Sequence, residues 1–202
     1  MEFLAEQLKS MPEEAFQALL TMLEVIPFPF CARHKVEKAR RMSFGFIWNR
    51  MANTFCNSKK NTDHPELWRM LQELCASIAP DKSFNAVQVN KDYTCQSHMD
   101  KNNDGESIVV SFGPYVGGEL VVDGVLFQAK HRPVMFDGSH LSHHNLSHDG
   151  RKYSVVFYNT GRKRGIPYEA RDDLRDKFYA ETVAKKRRLA TQNITKNATL
   201  AL

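Results

Sequence analysis

The tripeptide His98-Met99-Asp100 places an imidazole and a carboxylate two residues apart. Residues two apart on a β-strand point to the same side, so both groups can reach one point in space. A third imidazole is available downstream, where five of the eight histidines lie between His131 and His148. Two histidines and one carboxylate on one face of a metal ion leave the opposite face open, as in the non-haem Fe(II) sites that activate oxygen. An H-x-D pair alone is a weak signal, so the residues around it decide whether it indicates a metal site.

Composition limits the classes of protein to which this chain can belong. A chain of 202 residues with 42% hydrophobic content can form one sizeable core and is short for two full domains. The formal net charge of +5 suits nucleic acid as a partner, although a modest basic excess also serves solubility. The four cysteines contain no C-x-x-C pair, which favours a reducing intracellular compartment, either nucleus or cytoplasm. No apolar run is long enough to span a membrane, and we expect a soluble monomer.

Two amphipathic helices are predicted ahead of the strand-rich region, within a helical layer at residues 1–80. The first begins at Ser10-Met11-Pro12-Glu13, which resembles a capping box with proline in the first turn. The second begins in the same way at Asp63-His64-Pro65-Glu66 and ends before Pro80. Between them, the basic segment Arg33–Arg41 is either a solvated helix face or a surface that contacts phosphates.

From Phe84 the apolar pattern changes to a period of two. Short strands such as Ser107–Phe112 and Tyr153–Tyr158 alternate with turn signals such as Asp123-Gly124. This pattern predicts an antiparallel sandwich or barrel over residues 84–160. A basic helix is predicted at 161–190, followed by a flexible tail at 191–202.

Five features follow one another in a fixed order along the predicted strands. They are a strand ending in Asn90, H-x-D followed by lysine and asparagine, a strand ending in Ser-x-Gly, a Gly-Gly-Glu-Leu turn, and a distal histidine before a basic residue and serine. The run from Phe84 to Tyr158 thereby resembles the core of Fe(II)/2-oxoglutarate dioxygenases. It is most similar to TET/JBP-type methylpyrimidine hydroxylases and more distantly to AlkB-type demethylases. The resemblance implies an α+β fold with a double-stranded β-helix (jelly-roll or cupin-like) core, flanking N-terminal helices and a C-terminal helix.

The resemblance also implies the metal ligands and the cosubstrates. His98 and Asp100 would be the first two ligands of Fe(II), and 2-oxoglutarate and O2 would complete its coordination. The distal ligand is expected after the Phe136-Asp137-Gly138 turn, and His143 has the expected spacing from the basic residue that anchors the cosubstrate. The rival imidazoles are His140, His144 and His148.

The distal carboxylate of 2-oxoglutarate needs a buried cation and a hydroxyl donor, because an unpaired charge inside a barrel is costly. Lys152 and Ser154 share one strand face and match the basic-x-Ser pattern of the family, whereas Arg151 and Tyr153 share the other face. The family usually has arginine at the anchor, and lysine is a point charge rather than a bidentate fork, so Arg151 remains an alternative. Asn90 matches a family asparagine whose side chain reaches 2-oxoglutarate.

Three hypotheses for the function follow from these residues. The first is a hydroxylase of the methyl group of 5-methylcytosine or thymine in DNA, which requires base flipping and phosphate clamps. The second is a prolyl-type protein hydroxylase, since H-x-D, Gly-Gly-Glu-Leu and a lysine anchor also occur in that group. The third is a binding module with a degenerate metal site, against which the presence of both His98 and Asp100 argues. The candidate clamps are Arg162, Lys163 and Arg164, with Arg33–Arg41 and Lys185–Arg188 as further basic clusters.

Overall fold

A computed structural model describes residues 4–29, 40–49 and 54–161. The predicted helix and tail beyond residue 161 lie outside the described residues. None of the described helices is long and apolar enough to cross a membrane. In chain order the elements are β1 (Glu6–Gln7), α1 (Glu14–Val25), β2 (Arg40–Asn49), β3 (Thr54–Asn57), α2 (Lys59–Asp63), α3 (Pro65–Ile78), β4 (Ala86–Lys91), β5 (Ser107–Phe112), β6 (Tyr115–Gly117), β7 (Leu120–Val122), β8 (Val125–Phe127), β9 (Val134–Phe136), β10 (His143–Asn145), β11 (His148–Gly150) and β12 (Tyr153–Tyr158).

The larger sheet separates an apolar core from a polar cavity. Its strand order is β1-β9-β5-β12-β4-β2-β3, and neighbouring strands are antiparallel. Because side chains alternate along a strand, Tyr153, Val155 and Phe157 of β12 pack on one face, and Ser154 and Val156 line the cavity on the other. The apolar face is covered by buried side chains of α1 and α3, namely Phe16, Leu19, Leu23, Leu67, Trp68, Leu71, Leu74 and Cys75.

Two smaller sheets complete the cavity. Strands β10, β7 and β8 form one of them, and β11 pairs with β6 in the other. A second core cluster, which includes Leu120, Val122 and Phe136, packs between β7 and β9. The cavity has a volume of about 780 Å³ and is lined from the larger sheet and from β7 and β10. This volume lies within the usual range of small-molecule sites.

Both predicted capping boxes are absent from the described residues, although α3 has Pro65 in its first turn and ends before Pro80, as predicted. In α1 the N-cap is Glu13, and no side-chain hydrogen bond caps it among the described residues, so the predicted capping box is wrong. The hydroxyl of Ser10 instead lies 3.5 Å from the carbonyl oxygen of His131, because the chain before α1 runs along the edge of the larger sheet. Asp63 ends the short helix α2, and α3 begins at Pro65.

Between the two predicted helices, Arg40–Asn49 and Thr54–Asn57 form strands rather than part of a helical layer. In β2, Met42 and Phe44 are buried and the strand pairs with β4. At Gly45, with φ +84°, a Cβ would lie 2.4 Å from the carbonyl oxygen of Asn85, so only glycine fits. Beyond Gly45 the strand leaves β4 and continues as a ribbon with β3. Residues 33–39 of the basic segment lie outside the described residues.

Candidate metal and cosubstrate site

Three potential metal ligands meet at one side of the cavity. The Nε2 atom of His98 lies 3.8 Å from Oδ1 of Asp100, and Nε2 of His143 lies 3.6 Å from Oδ2 of the same carboxylate. The ligand atoms of the three residues lie within 4.8 Å of one another. Two ligand atoms at about 2.1 Å from a common ion are at most about 4.2 Å apart. Both separations from the carboxylate lie below this limit.

The hydrogen bonds of the two imidazoles leave Nε2 available to a metal. The Nδ1 atom of His98 lies 2.8 Å from the carbonyl oxygen of Gln96, and Nδ1 of His143 lies 3.0 Å from that of Leu141. A carbonyl oxygen only accepts, so each Nδ1 must carry the proton and donate it. Each Nε2 then keeps its lone pair, which is the tautomer that a metal-binding histidine needs.

Backbone pairing brings the two histidines together from distant parts of the chain. The amide of His98 donates to the carbonyl oxygen of His143 at 3.0 Å, and the amide of His143 donates to that of His98 at 2.9 Å. The ring centres are 4.3 Å apart. His143 is buried, whereas His98 and Asp100 are partly exposed. All three residues line the same cavity.

The rival imidazoles have other surroundings. His140 is exposed, and its Nδ1 lies 2.9 Å from Oδ2 of Asp137. His144 occupies the next position of β10, so strand alternation turns its side chain away from that of His143. The Nδ1 atom of His148 lies 3.4 Å from the hydroxyl of Thr94. Of the four histidines considered at 140–148, His143 is the one grouped with His98 and Asp100.

Lys152 supplies a buried cation at the inner end of the cavity. The side chain is 5% exposed, and its Nζ donates to the carbonyl oxygen of Gly118 at 2.5 Å. Within the described ranges, no carboxylate lies at ion-pair distance from it. Burial lowers the pKa of the ammonium from 10.5 to about 8, with smaller opposing effects of Cys95 and Glu119. A charge held in this way is complementary to an anionic ligand.

Gly118 makes room for this lysine. With φ +72°, its backbone is in the left-handed region, and a Cβ would lie 2.7 Å from Nζ of Lys152. The Gly-Gly-Glu-Leu turn is thus needed both for its backbone conformation and for the close approach of the ammonium.

Polar side chains continue from Lys152 along the cavity face of the sheet. Asn90 is paired in register with Ser154, and its Nδ2 donates to the Ser154 hydroxyl at 3.1 Å. The Nε2 of Gln88 donates to Oδ1 of Asn90 at 2.8 Å. On the other side of Ser154 lies the buried Ser111, whose hydroxyl is 2.7 Å from that of Tyr115. Tyr115 was not predicted as a site residue, because no local pattern marks it.

Arg151 lies on the opposite side of the sheet from the cavity. Its guanidinium forms an ion pair with Glu24 of α1 at 2.6 Å, and about half of its side chain is exposed. The predicted strand alternation thus separates Arg151 from Lys152, as it separates Tyr153 from Ser154. The proposed clamp residues Arg162, Lys163 and Arg164 lie outside the described residues, so their positions remain predictions.

A second group of side chains lines the cavity beside the β2–β3 ribbon. Arg41 and Trp48 of β2 and Tyr158 of β12 belong to it. The indole of Trp48 packs edge-on against Phe55, with ring centres 5.2 Å apart. Burial, with a smaller contribution from the charge of Asp100, raises the pKa of the Tyr158 phenol to about 12. Trp48 and Tyr158 were not predicted as cavity residues, and Arg41 was predicted only as a member of the basic segment Arg33–Arg41.

Known proteins share this fold at low sequence identity. No protein-family model matches the chain, and no curated protein matches it. NgTET1 in complex with 5mC DNA is similar over 81% of this chain and 74% of its own, with a TM-score of 0.60 and 14% identity. OsALKBH1 is similar over 78% and 97%, with a TM-score of 0.54 and 10% identity.

A Trichoplax adhaerens prolyl hydroxylase in complex with a peptide fragment of a hypoxia-inducible factor has a TM-score of 0.50 and 11% identity. The similarity covers 80% of this chain and 84% of that one. At identities this low, the similarity concerns the fold. The predicted fold class is confirmed for the described residues: the chain has a double-stranded β-helix fold, which it shares with these three structures.

Proposed function

We propose that this protein is an Fe(II)/2-oxoglutarate-dependent dioxygenase. The observation that carries the proposal is the grouping of His98, Asp100 and His143 in the same cavity as the buried ammonium of Lys152. A metal triad alone would fit many ions, and a buried lysine alone would fit many anions. Together they match a ligand that needs both, namely a 2-oxoacid with a second carboxylate.

Each group has a distinct task in this proposal. His98, Asp100 and His143 hold Fe(II) on one face and leave the rest of its coordination sphere to ligands from the cavity. The Lys152 ammonium and the Ser154 hydroxyl bind the distal carboxylate of 2-oxoglutarate, and Asn90 contacts the cosubstrate beside them. When bound, Fe(II), 2-oxoglutarate and O2 supply the oxidising chemistry that hydroxylates a C–H bond. The protein contributes the orientation of these groups around one cavity.

The proposed substrate is the methyl group of a 5-methylpyrimidine, 5-methylcytosine or thymine, in DNA. NgTET1, which shares the fold, has been solved with 5mC DNA. Trp48 offers an aromatic ring to a base that has left the duplex, and Arg41 offers a cation to a phosphate. The net charge of +5 also favours binding to the negatively charged DNA backbone.

The test measures succinate formation by the Fe(II)-loaded protein with three substrates in parallel. These are DNA containing 5-methylcytosine, the same DNA without methylation, and a pool of proline-containing peptides. We expect succinate and a gain of 16 Da on the methylated DNA. The same gain on a peptide would indicate the prolyl-type alternative. If no substrate gave succinate and the protein did not bind Fe(II), the proposed dioxygenase activity would be refuted.

Variants separate the metal site from the substrate side. Asp100→Ala is expected to remove Fe(II) binding and all succinate formation. Arg41→Ala should keep 2-oxoglutarate binding but weaken DNA binding and reduce its salt dependence, because one phosphate contact is lost. Lys82→Ala is the matched control, since Lys82 is an exposed cation that pairs with Glu106 outside the cavity. If Arg41→Ala and Lys82→Ala weakened DNA binding equally, the result would argue against a specific phosphate clamp at Arg41.

A further inference from the structure

The turn between β9 and β10, residues Asp137–Leu141, is tied together by one buried carboxylate. Oδ1 of Asp137 accepts hydrogen bonds from the amide of Ser139 at 2.9 Å and from its hydroxyl at 2.7 Å. Oδ2 lies 2.9 Å from Nδ1 of His140. The carbonyl oxygen of Asp137 accepts from the amide of Leu141 at 2.9 Å. The side chain of Asp137 is 9% exposed, so these bonds are largely shielded from water.

The electrostatics of the carboxylate agree with a structural role. Burial alone would raise the pKa of Asp137, but the hydrogen bonds from Ser139 and His140 outweigh it, and the pKa is lowered. The group therefore stays ionised at neutral pH and accepts strong, charge-assisted hydrogen bonds.

The same turn contacts two of the three metal ligands through its backbone. The carbonyl oxygen of Gly138 accepts the amide of Asp100 at 2.7 Å. The carbonyl oxygen of Leu141 lies 3.0 Å from Nδ1 of His143 and fixes the orientation of that ring. Gly138 also lies against the ring itself, since a Cβ there would be 3.2 Å from Cε1 of His143. The conformation of this turn thus sets the relative position of Asp100 and His143.

We propose that Asp137 is the positioning residue of the metal site: its carboxylate locks the Asp137–Leu141 turn, and the turn holds Asp100 and His143 in register for one ion. This inference rests on the proposed metal site. Asp137 does not coordinate the ion, so it acts on affinity and geometry rather than on the number of ligands. Residues that orient metal ligands typically change metal affinity by about 10- to 100-fold when they are replaced.

The experiment titrates Co(II) into the anaerobic full-length protein and records the visible absorption of the bound ion. Asp137→Ala is expected to raise the Kd for Co(II) by about 10- to 100-fold and to change the absorption bands at saturation. Asp137→Asn retains an acceptor for Ser139 and loses the ionic contact with His140, so its Kd should lie between those of the wild type and the alanine variant. Asp149→Ala is the control, because Asp149 is an exposed carboxylate on β11.

The spectrum at saturation separates positioning from simple destabilisation. A variant that is only less stable would bind Co(II) with the wild-type spectrum once it is saturated and folded, and this result would overturn the inference. A Kd within twofold of the wild type for Asp137→Ala would overturn it as well. If Asp137→Ala does not fold, the inference is overturned when Asp137→Asn binds Co(II) with the affinity and the spectrum of the wild type. Failure of the wild-type protein to bind Co(II) would instead refute the proposed metal site.

Discussion

Replacement of Lys152 by methionine is expected to have opposite effects on ligand binding and on stability. The lysine is 5% exposed, and its ammonium has a pKa lowered from 10.5 to about 8 by burial. One pKa unit corresponds to about 1.4 kcal/mol, so holding the charge in the ligand-free protein costs up to about 3 kcal/mol at neutral pH. Methionine keeps the apolar stem and removes the charge. Removal of the buried charge therefore stabilises the fold, but loss of the hydrogen bond to Gly118 offsets about 1 kcal/mol of that gain. The net stabilisation is about 1–2 kcal/mol.

The binding of 2-oxoglutarate should become weaker in Lys152→Met. Removal of one partner of a buried charge pair costs about 2–5 kcal/mol, which raises the Kd roughly 30-fold to several thousand-fold. The pH dependence follows from the same group. Unfolded lysine keeps its proton up to about pH 10.5, whereas Lys152 releases it near pH 8. Between these values the unfolded state binds more protons, so the stability of the ligand-free wild type rises with pH.

Urea denaturation at pH 7 and pH 10 measures the stability difference, and calorimetric titration of 2-oxoglutarate into the Mn(II)-loaded protein measures binding. Arg151→Met is the matched control on the neighbouring position, because Arg151 is exposed and pairs with Glu24. It should change stability by less than about 1 kcal/mol and leave binding unaltered. If Lys152→Met kept the wild-type affinity while Arg151→Met lost it, the assignment of the anchor would be wrong.

Two further pairs of variants test the cavity. Gly118→Ala and Gly124→Ala both force alanine to positive φ, +72° and +81°, at about 1–2 kcal/mol each. Only the Gly118 variant also meets Nζ of Lys152, so calorimetry should show weaker 2-oxoglutarate binding there and unchanged binding in the Gly124 variant. His143→Ala should abolish stoichiometric Fe(II) binding in an anaerobic titration, while His144→Ala should retain it. Loss of Fe(II) in both histidine variants would indicate that the segment, not one imidazole, was damaged.

Local patterns were sufficient for much of the core. The period of two places Lys152 and Ser154 on one face. His98 and Asp100 also lie close together, as their i, i+2 spacing predicted, but the predicted strand is absent there, since His98 makes only an isolated bridge with His143. Strand β2 was not predicted, although Met42 and Phe44 are buried at alternate positions, as in a half-buried strand.

Other features depend on partners far away in the sequence. The predicted capping box failed because the chain at Ser10 is held against His131, a contact that no local window contains. The network of Asp137 was missed for a different reason. Its sequence, Asp-Gly-Ser-His, resembles an ordinary turn, and its importance comes from the carbonyl oxygens that it directs toward Asp100 and His143. Sequence can therefore propose ligands, but the groups that orient them are defined by tertiary contacts.

The position of the anchor next to a central strand has an energetic reason. Strand β12 is paired on both sides, with β4 and β5, so its backbone is held along its length. On the apolar face, Tyr153, Val155 and Phe157 are fully buried, and burial of each such side chain stabilises the fold by about 1.5–3 kcal/mol. That contribution exceeds the cost of up to about 3 kcal/mol for the Lys152 charge. An anchor on a mobile loop could lower this cost by turning toward water, and it would then be unavailable to the ligand. The alternation of one strand thus couples a destabilising charge to the apolar packing that keeps it in place.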